Sequence, residues 1–190
     1  MAITKINADA MDLTDAYAFT GTVTGAGGGK VLQVVIGSKT AATTYSPGSS
    51  WVEVTGLSAA ITPASASNKI LVVASLNWSG HIDSYVATAR LYRNGSHISA
   101  AGGTDNGSRP GAFLVAGFQD YEWGWSNYGR QQTPGYYLDS PNSTSTQTYK
   151  LYVRDTGNDR QINVNRGYYD INSGLAPVGY STIVLMEVKG

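Results

Sequence analysis

From Lys30 to the C-terminus the chain is built of short runs in which apolar and polar residues alternate, set apart by turn-forming residues. Alternation with period two marks a strand that buries one face. Lys30–Ile36 is rich in β-branched residues and Trp51–Thr55 alternates. Val86–Arg93 sets Ala87, Ala89 and Leu91 against Thr88, Arg90 and Tyr92. In Asn68–Trp78 one face carries Ile70, Val72, Ala74, Leu76 and Trp78, and the other begins with Leu71 and Val73. A run apolar on both faces predicts a central strand. Asn94-Gly95 is a strong hairpin signal and predicts a short return strand through His97–Ser99. Ala112–Trp125, Gly135–Asp139, Thr148–Asp155, Arg160–Arg166 and Tyr180–Val188 complete the series. Eight or more strands at intervals of about ten residues, without a persuasive helix, predict an all-β fold, an antiparallel β-sandwich or jelly roll. No repeat of fixed period points to a propeller or solenoid.

Residues 1–29 follow a different pattern. Met11, Leu13, Tyr17, Phe19 and Val23 fall at alternate positions, which predicts an extended neck. Ile6, Ala10, Leu13 and Tyr17 also fall at helical spacing, but the Thr-rich stretch Thr20–Thr24 favours a strand. A single extended segment cannot bury its apolar face alone, so it needs other copies of the chain or a place in the main sheet. Four glycines within Gly25–Gly29 make a linker. The expected organisation is an extended N-terminal neck or anchor with its glycine linker over 1–29, and a β-sandwich head over 30–190.

Composition narrows the functional classes. Charged residues make up only 14% of the chain, and 13 basic residues balance 13 acidic ones. Without a basic cluster, neither nucleic acid nor an anionic membrane surface is an expected partner. No apolar run reaches the roughly 18 residues of a membrane-spanning helix, so no membrane insertion is expected, and the N-terminus lacks the pattern of a signal peptide. The absence of cysteine removes disulfides and zinc–thiolate sites and suits folding in a reducing cytoplasm.

Candidate chemistry is sparse, and no cofactor or metal is expected. His81-Ile82-Asp83 would place a base and an orienting carboxylate on one strand face, but no nucleophile motif accompanies them. Asp120 and Glu122 share a face and are followed by Trp123, Trp125 and Tyr128. Carboxylates beside aromatic rings suit glycan binding, because sugar C–H faces stack on rings while carboxylates accept hydroxyl hydrogen bonds. The blander role for Trp123 and Trp125 is in a core or a subunit interface. Asp155–Asp159 resembles a calcium-loop fragment but lacks the later bidentate Glu, and a tight turn accounts for it. The expectation is therefore a protein that is not an enzyme.

Several segments resemble the tail-fibre proteins of marine and environmental phages. Leu57–Val72, LSAAITPASASNKILV, is similar to their I-T-P segment followed by K-I-L-V, and Tyr137–Tyr149, YLDSPNSTSTQTY, to their L-D-S-P segment. Asn165-Arg166-Gly167 resembles their N-R-G turn, STIVLMEV at Ser181–Val188 their final strand, and AYAFTGTVTGAGG at Ala16–Gly28 their neck. These pieces cover about a third of the chain. The resemblance implies a homotrimeric receptor-binding fibre head, a jelly roll of the tumour-necrosis-factor type. It would be made in the host cytoplasm and carried on the virion tail or fibre. Its partners would be itself, other virion or tail proteins through the N-terminus, and a host surface polysaccharide or protein. Receptor loops are where members of such a family differ, so Asp120, Tyr121, Trp123, Trp125, Tyr128, Tyr168 and Tyr169 are the candidate receptor or glycan contacts. The alternatives are a structural virion protein without receptor binding, such as a capsid decoration or fibre-connecting piece, and a polysaccharide depolymerase using Asp120, Glu122 or Asp139.

Overall fold

The computed structural model describes residues 30–80, 86–117, 130–155, 161–174 and 176–190. The expected neck residues Met11, Leu13, Tyr17, Phe19 and Val23, and the Gly25–Gly29 linker, lie outside the described residues. The chain is all-β there. Eleven strands run in order: β1 (Val31–Lys39), β2 (Thr43–Tyr45), β3 (Val52–Ile61), β4 (Lys69–Gly80), β5 (Val86–Arg93), β6 (Ser96–His97), β7 (Leu114–Gly117), β8 (Gln131–Asp139), β9 (Gln147–Asp155), β10 (Ile162–Val164) and β11 (Ser181–Val188).

They form two antiparallel sheets packed face to face. In the first, β1 pairs β11, β11 pairs β4, and β8 lies on the other edge of β4. The far end of β4 also pairs β10, which carries β2 beyond it. In the second, β3 pairs β9, β9 pairs β5, and β5 ends against β6 and β7. β4 is thus central, as its two apolar faces predict.

The inward positions make one core. Ile70, Val72, Ala74, Leu76 and Trp78 from β4 meet Ala87, Ala89 and Leu91 from β5, Tyr149, Leu151 and Val153 from β9, and Ile183 and Leu185 from β11. All thirteen are fully buried. Gly37 marks a close crossing of the two sheets, where a Cβ would lie 1.9 Å from the Ser58 carbonyl oxygen. No larger residue fits there without moving backbone.

Two buried polar clusters are tied down by hydrogen bonds, which offset the cost of taking them out of water. Asp139 accepts hydrogen bonds from Arg93 at 2.5 Å and from the Tyr149 hydroxyl at 2.7 Å. Burial, then the neighbouring carboxylate, pushes the Tyr149 hydroxyl far above its ordinary value, so it stays a donor. Asn165, in the left-handed region at φ 64°, donates to the carbonyls of Lys39 and Ala41 and accepts from Ser181.

Several strand boundaries differ from the pattern. β3 continues to Ile61 rather than ending at Thr55, because a register shift between Glu53 and Ser58 breaks the alternation around Gly56 at φ 81°. β8 begins at Gln131, ahead of Pro134. β8 pairs only β4, and an edge strand tolerates a residue that cannot donate. The return strand after Asn94-Gly95 ends at His97, and Ser99–Ala101 is a single 3-10 turn instead. Of Ala112–Trp125, Leu114–Gly117 is strand, and 118–125 lies outside the described residues.

Candidate functional site

The outward faces of the two sheets differ in chemistry. On the first sheet, the register aligns Val34, Met186, Leu71 and Leu138 in one row and Ile36, Val184, Val73 and Tyr136 in the next. Ser38, Thr182, Ser75 and Pro134 make a third row. No charged side chain stands in these rows. Ile36 is 65% exposed and Tyr136 68%. Contiguous exposed apolar rows such as the first two mark a candidate contact surface.

The outward face of the second sheet is aromatic and charged. Register places Thr88 opposite Arg154, Arg90 opposite Tyr152, and Tyr92 opposite Lys150, with Glu53 flanking Tyr152 on the other side. Tyr92 and Tyr152 stack with ring centres 3.9 Å apart, and His97 tilts against Tyr92 at 5.6 Å. Lys150 pairs Glu53 at 2.9 Å. The Arg90 guanidinium lies 4.3 Å from the centre of the Trp51 ring, and that of Arg154 lies 5.9 Å away. Both distances fall within the range of cation–π attraction.

A loop over 102–111 folds against this face. Asp105 anchors it by accepting hydrogen bonds from the Gly111 N–H and from Arg90. The Gly111 bond, with the Arg90 guanidinium, holds the Asp105 carboxyl below its ordinary value although burial opposes this. Arg90 also donates through Nε to the Gly111 carbonyl at 2.9 Å. Beyond Asp105, Asn106 and Arg109 exchange two backbone hydrogen bonds around Gly107, which sits at φ 58°.

Two clefts adjoin at Asp105. One, of about 410 Å³, is lined by His97, Ser99, Ala100, Gly103 and Thr104 as well as Asp105. The other, of about 340 Å³, lies among Arg90, Ser108, Arg109, Pro110 and Arg154. Burial, and then the Arg90 cation, lowers the His97 imidazole below its ordinary value, which keeps it neutral near pH 7. Aromatic rings, hydroxyls and fixed charges around shallow clefts suit a polar, sugar-like ligand. Among the described residues, no group of three or more His, Asp or Glu side chains is placed to hold a metal ion.

Of the residues expected to contact a receptor, Asp120, Tyr121, Trp123, Trp125 and Tyr128 lie outside the described residues, as do His81, Asp83 and Glu122. Tyr168 and Tyr169 follow β10 of the first sheet, with ring centres 5.4 Å apart, and Tyr169 is 47% exposed. Arg166 braces the segment by donating to the Tyr168 carbonyl and pairing Asp170. Asp139 is buried and bonded to Arg93 and Tyr149. Trp51, Arg90 and Arg154 were not legible as a site, because each reads only as the polar half of an alternating strand. The signal that could have found them is that the outward half of β5 and β9 carries Arg90, Tyr92, Lys150, Tyr152 and Arg154 beside only two threonines. No protein-family model matches the chain, and no curated protein matches it.

Proposed function

We propose that this chain is the head of a phage tail fibre or related virion fibre, a homotrimer that attaches to a host cell surface through surface glycan and is not an enzyme. The observation that carries the reading is the opposition of two faces: an uncharged apolar face on the first sheet, and an aromatic, charged face with clefts on the second. The first suits burial against other copies, and the second suits contact with ligand. The strand orders β1–β11–β4–β8 and β3–β9–β5–β7 support a jelly roll, which winds eight strands as two Greek keys. The segments similar to phage tail fibres support the virion setting and an N-terminal attachment to other tail proteins. Three copies would convert weak single-site contacts into useful avidity.

The test is binding of the fluorescently labelled full-length protein to a panel of bacteria, before and after periodate oxidation of surface sugars. Saturable binding to a subset, lost after oxidation, is the expected result. A trimer that binds none of them would instead mark a structural fibre-connecting or capsid-decorating piece.

A further inference from the structure

We propose that the cleft between Arg90, Arg154 and the 105–110 loop binds the anionic group of an acidic glycan. The inference rests on the adhesion reading above and assigns that surface its ligand class. Three guanidiniums, from Arg90, Arg109 and Arg154, line the cleft against a single carboxylate, that of Asp105. Asp105 is already engaged by Arg90 and the Gly111 N–H. Arg109 and Arg154 have no carboxylate partner among the described residues. Among the described residues, the lining therefore carries two positive charges in excess of its one carboxylate, in a chain whose formal net charge is zero.

The arrangement is built rather than incidental. Arg90 is held from three directions: by Asp105, by the Gly111 carbonyl and by the Trp51 ring. Its side chain is only 12% exposed. Arg154 has its Nε buried without a hydrogen-bond partner among the described residues. A buried donor left unmet is a cost to the fold, and an anion bound in the cleft would offset it. Planar guanidinium forks match the paired oxygens of carboxylate, sulfate or phosphate groups. The Trp51 ring and the stacked Tyr92–Tyr152 pair lie on the same sheet face and offer apolar surface to the sugar that carries such a group. Ser108 adds a hydroxyl at the rim.

The experiment applies the full-length protein, its Arg154→Gln variant and its Arg109→Gln variant to an array of carboxylated, sulfated, phosphorylated and neutral glycans, with whole-cell binding run in parallel. Thermal unfolding checks that each variant keeps its fold. The expected result is binding confined to acidic glycans, weakened about tenfold to a hundredfold by Arg154→Gln, as loss of a charged hydrogen bond implies. Binding should also weaken with added salt. The array classes then tell which anionic group is recognised. Equal binding to neutral and acidic glycans overturns the inference, as does binding that both folded variants retain in full. If the array stays blank while the protein still binds cells, the acidic-glycan assignment falls and the adhesion reading stands. If cell binding is also absent, both fall.

Discussion

Glu187 offers a sensitive test of how the sandwich is closed. It sits inward near the end of β11, fully buried. Its carboxylate accepts from Gln33 Nε2 at 2.6 Å, Asn68 Nδ2 at 2.6 Å and the Ala64 N–H at 2.7 Å, which ties the loop before β4 to β1 and β11. Burial alone would raise this carboxyl. The bonds from Gln33 and Asn68 and from the backbone N–H groups of Ala64 and Ser65 outweigh it and hold the carboxyl below its ordinary value. Glu187→Gln preserves shape but removes the charge and turns one acceptor into a donor facing donors. A hydrogen bond to a charged group contributes about 1.5–3 kcal/mol and a neutral one about 0.5–1.5. Weakening two contacts and breaking a third should cost about 2–4 kcal/mol. For a chain of this size that lowers Tm by about 5–15 °C. The sign with pH follows from the depressed carboxyl. Its contribution is complete above the unfolded value of about 4.3 and is lost as pH falls through the lower folded value. The gap between parent and variant should therefore be full at pH 7 and shrink progressively below about pH 4. Thermal unfolding of both proteins at equal concentration, across that range, measures it. A gap under about 0.5 kcal/mol at pH 7, or one that does not change with acid, refutes the reasoning.

Substitutions at three further positions probe other parts of the account. Asp139→Asn leaves Arg93 without its carboxylate and weakens the Tyr149 bond, so urea unfolding should show a loss of about 2–3 kcal/mol. Asn165→Ala combines left-handed backbone strain with the loss of bonds to Lys39, Ala41 and Ser181, and should cost about 3–4 kcal/mol. Asn165→Gly, free of the strain, should recover about 1 kcal/mol of that in the same assay. Val73→Glu places a charge in the middle of the apolar outer face, and sedimentation should show dissociation to monomers while circular dichroism keeps its β signature.

Where local pattern and tertiary environment agree, the fold is legible in the sequence. Ile70 to Trp78 reads as a central strand because both of its faces are covered by protein or carry apolar residues, and β5 is bounded cleanly by Asn94-Gly95. β2, three residues long, has too few positions to show a period, and its pairing with β10 is fixed by Asn165 and Ser181 far along the chain. Gly135–Asp139 was legible as a strand, but the start of β8 lies ahead of Pro134, whose tolerance depends on an edge position that only the sheet order reveals. The clefts are less legible still. Trp51, Arg90, Asp105 and Arg154 are spread over about a hundred positions and meet only through the β3–β9–β5 register and the return of the 102–111 loop. Tyr168 and Tyr169 were expected as receptor contacts; their rings lie 5.4 Å apart beyond β10 of the first sheet, whereas the clefts lie on the second.

The most direct measurement of the central claim is the solution mass of the full-length chain, by light scattering after size exclusion, together with that of a chain beginning at Lys30. If the apolar face of the first sheet holds copies together, both should have about three times their monomer mass, with the full chain near three times 20.1 kDa. A monomeric full-length chain, with Ile36, Val73 and Tyr136 left facing water, would contradict the trimeric head.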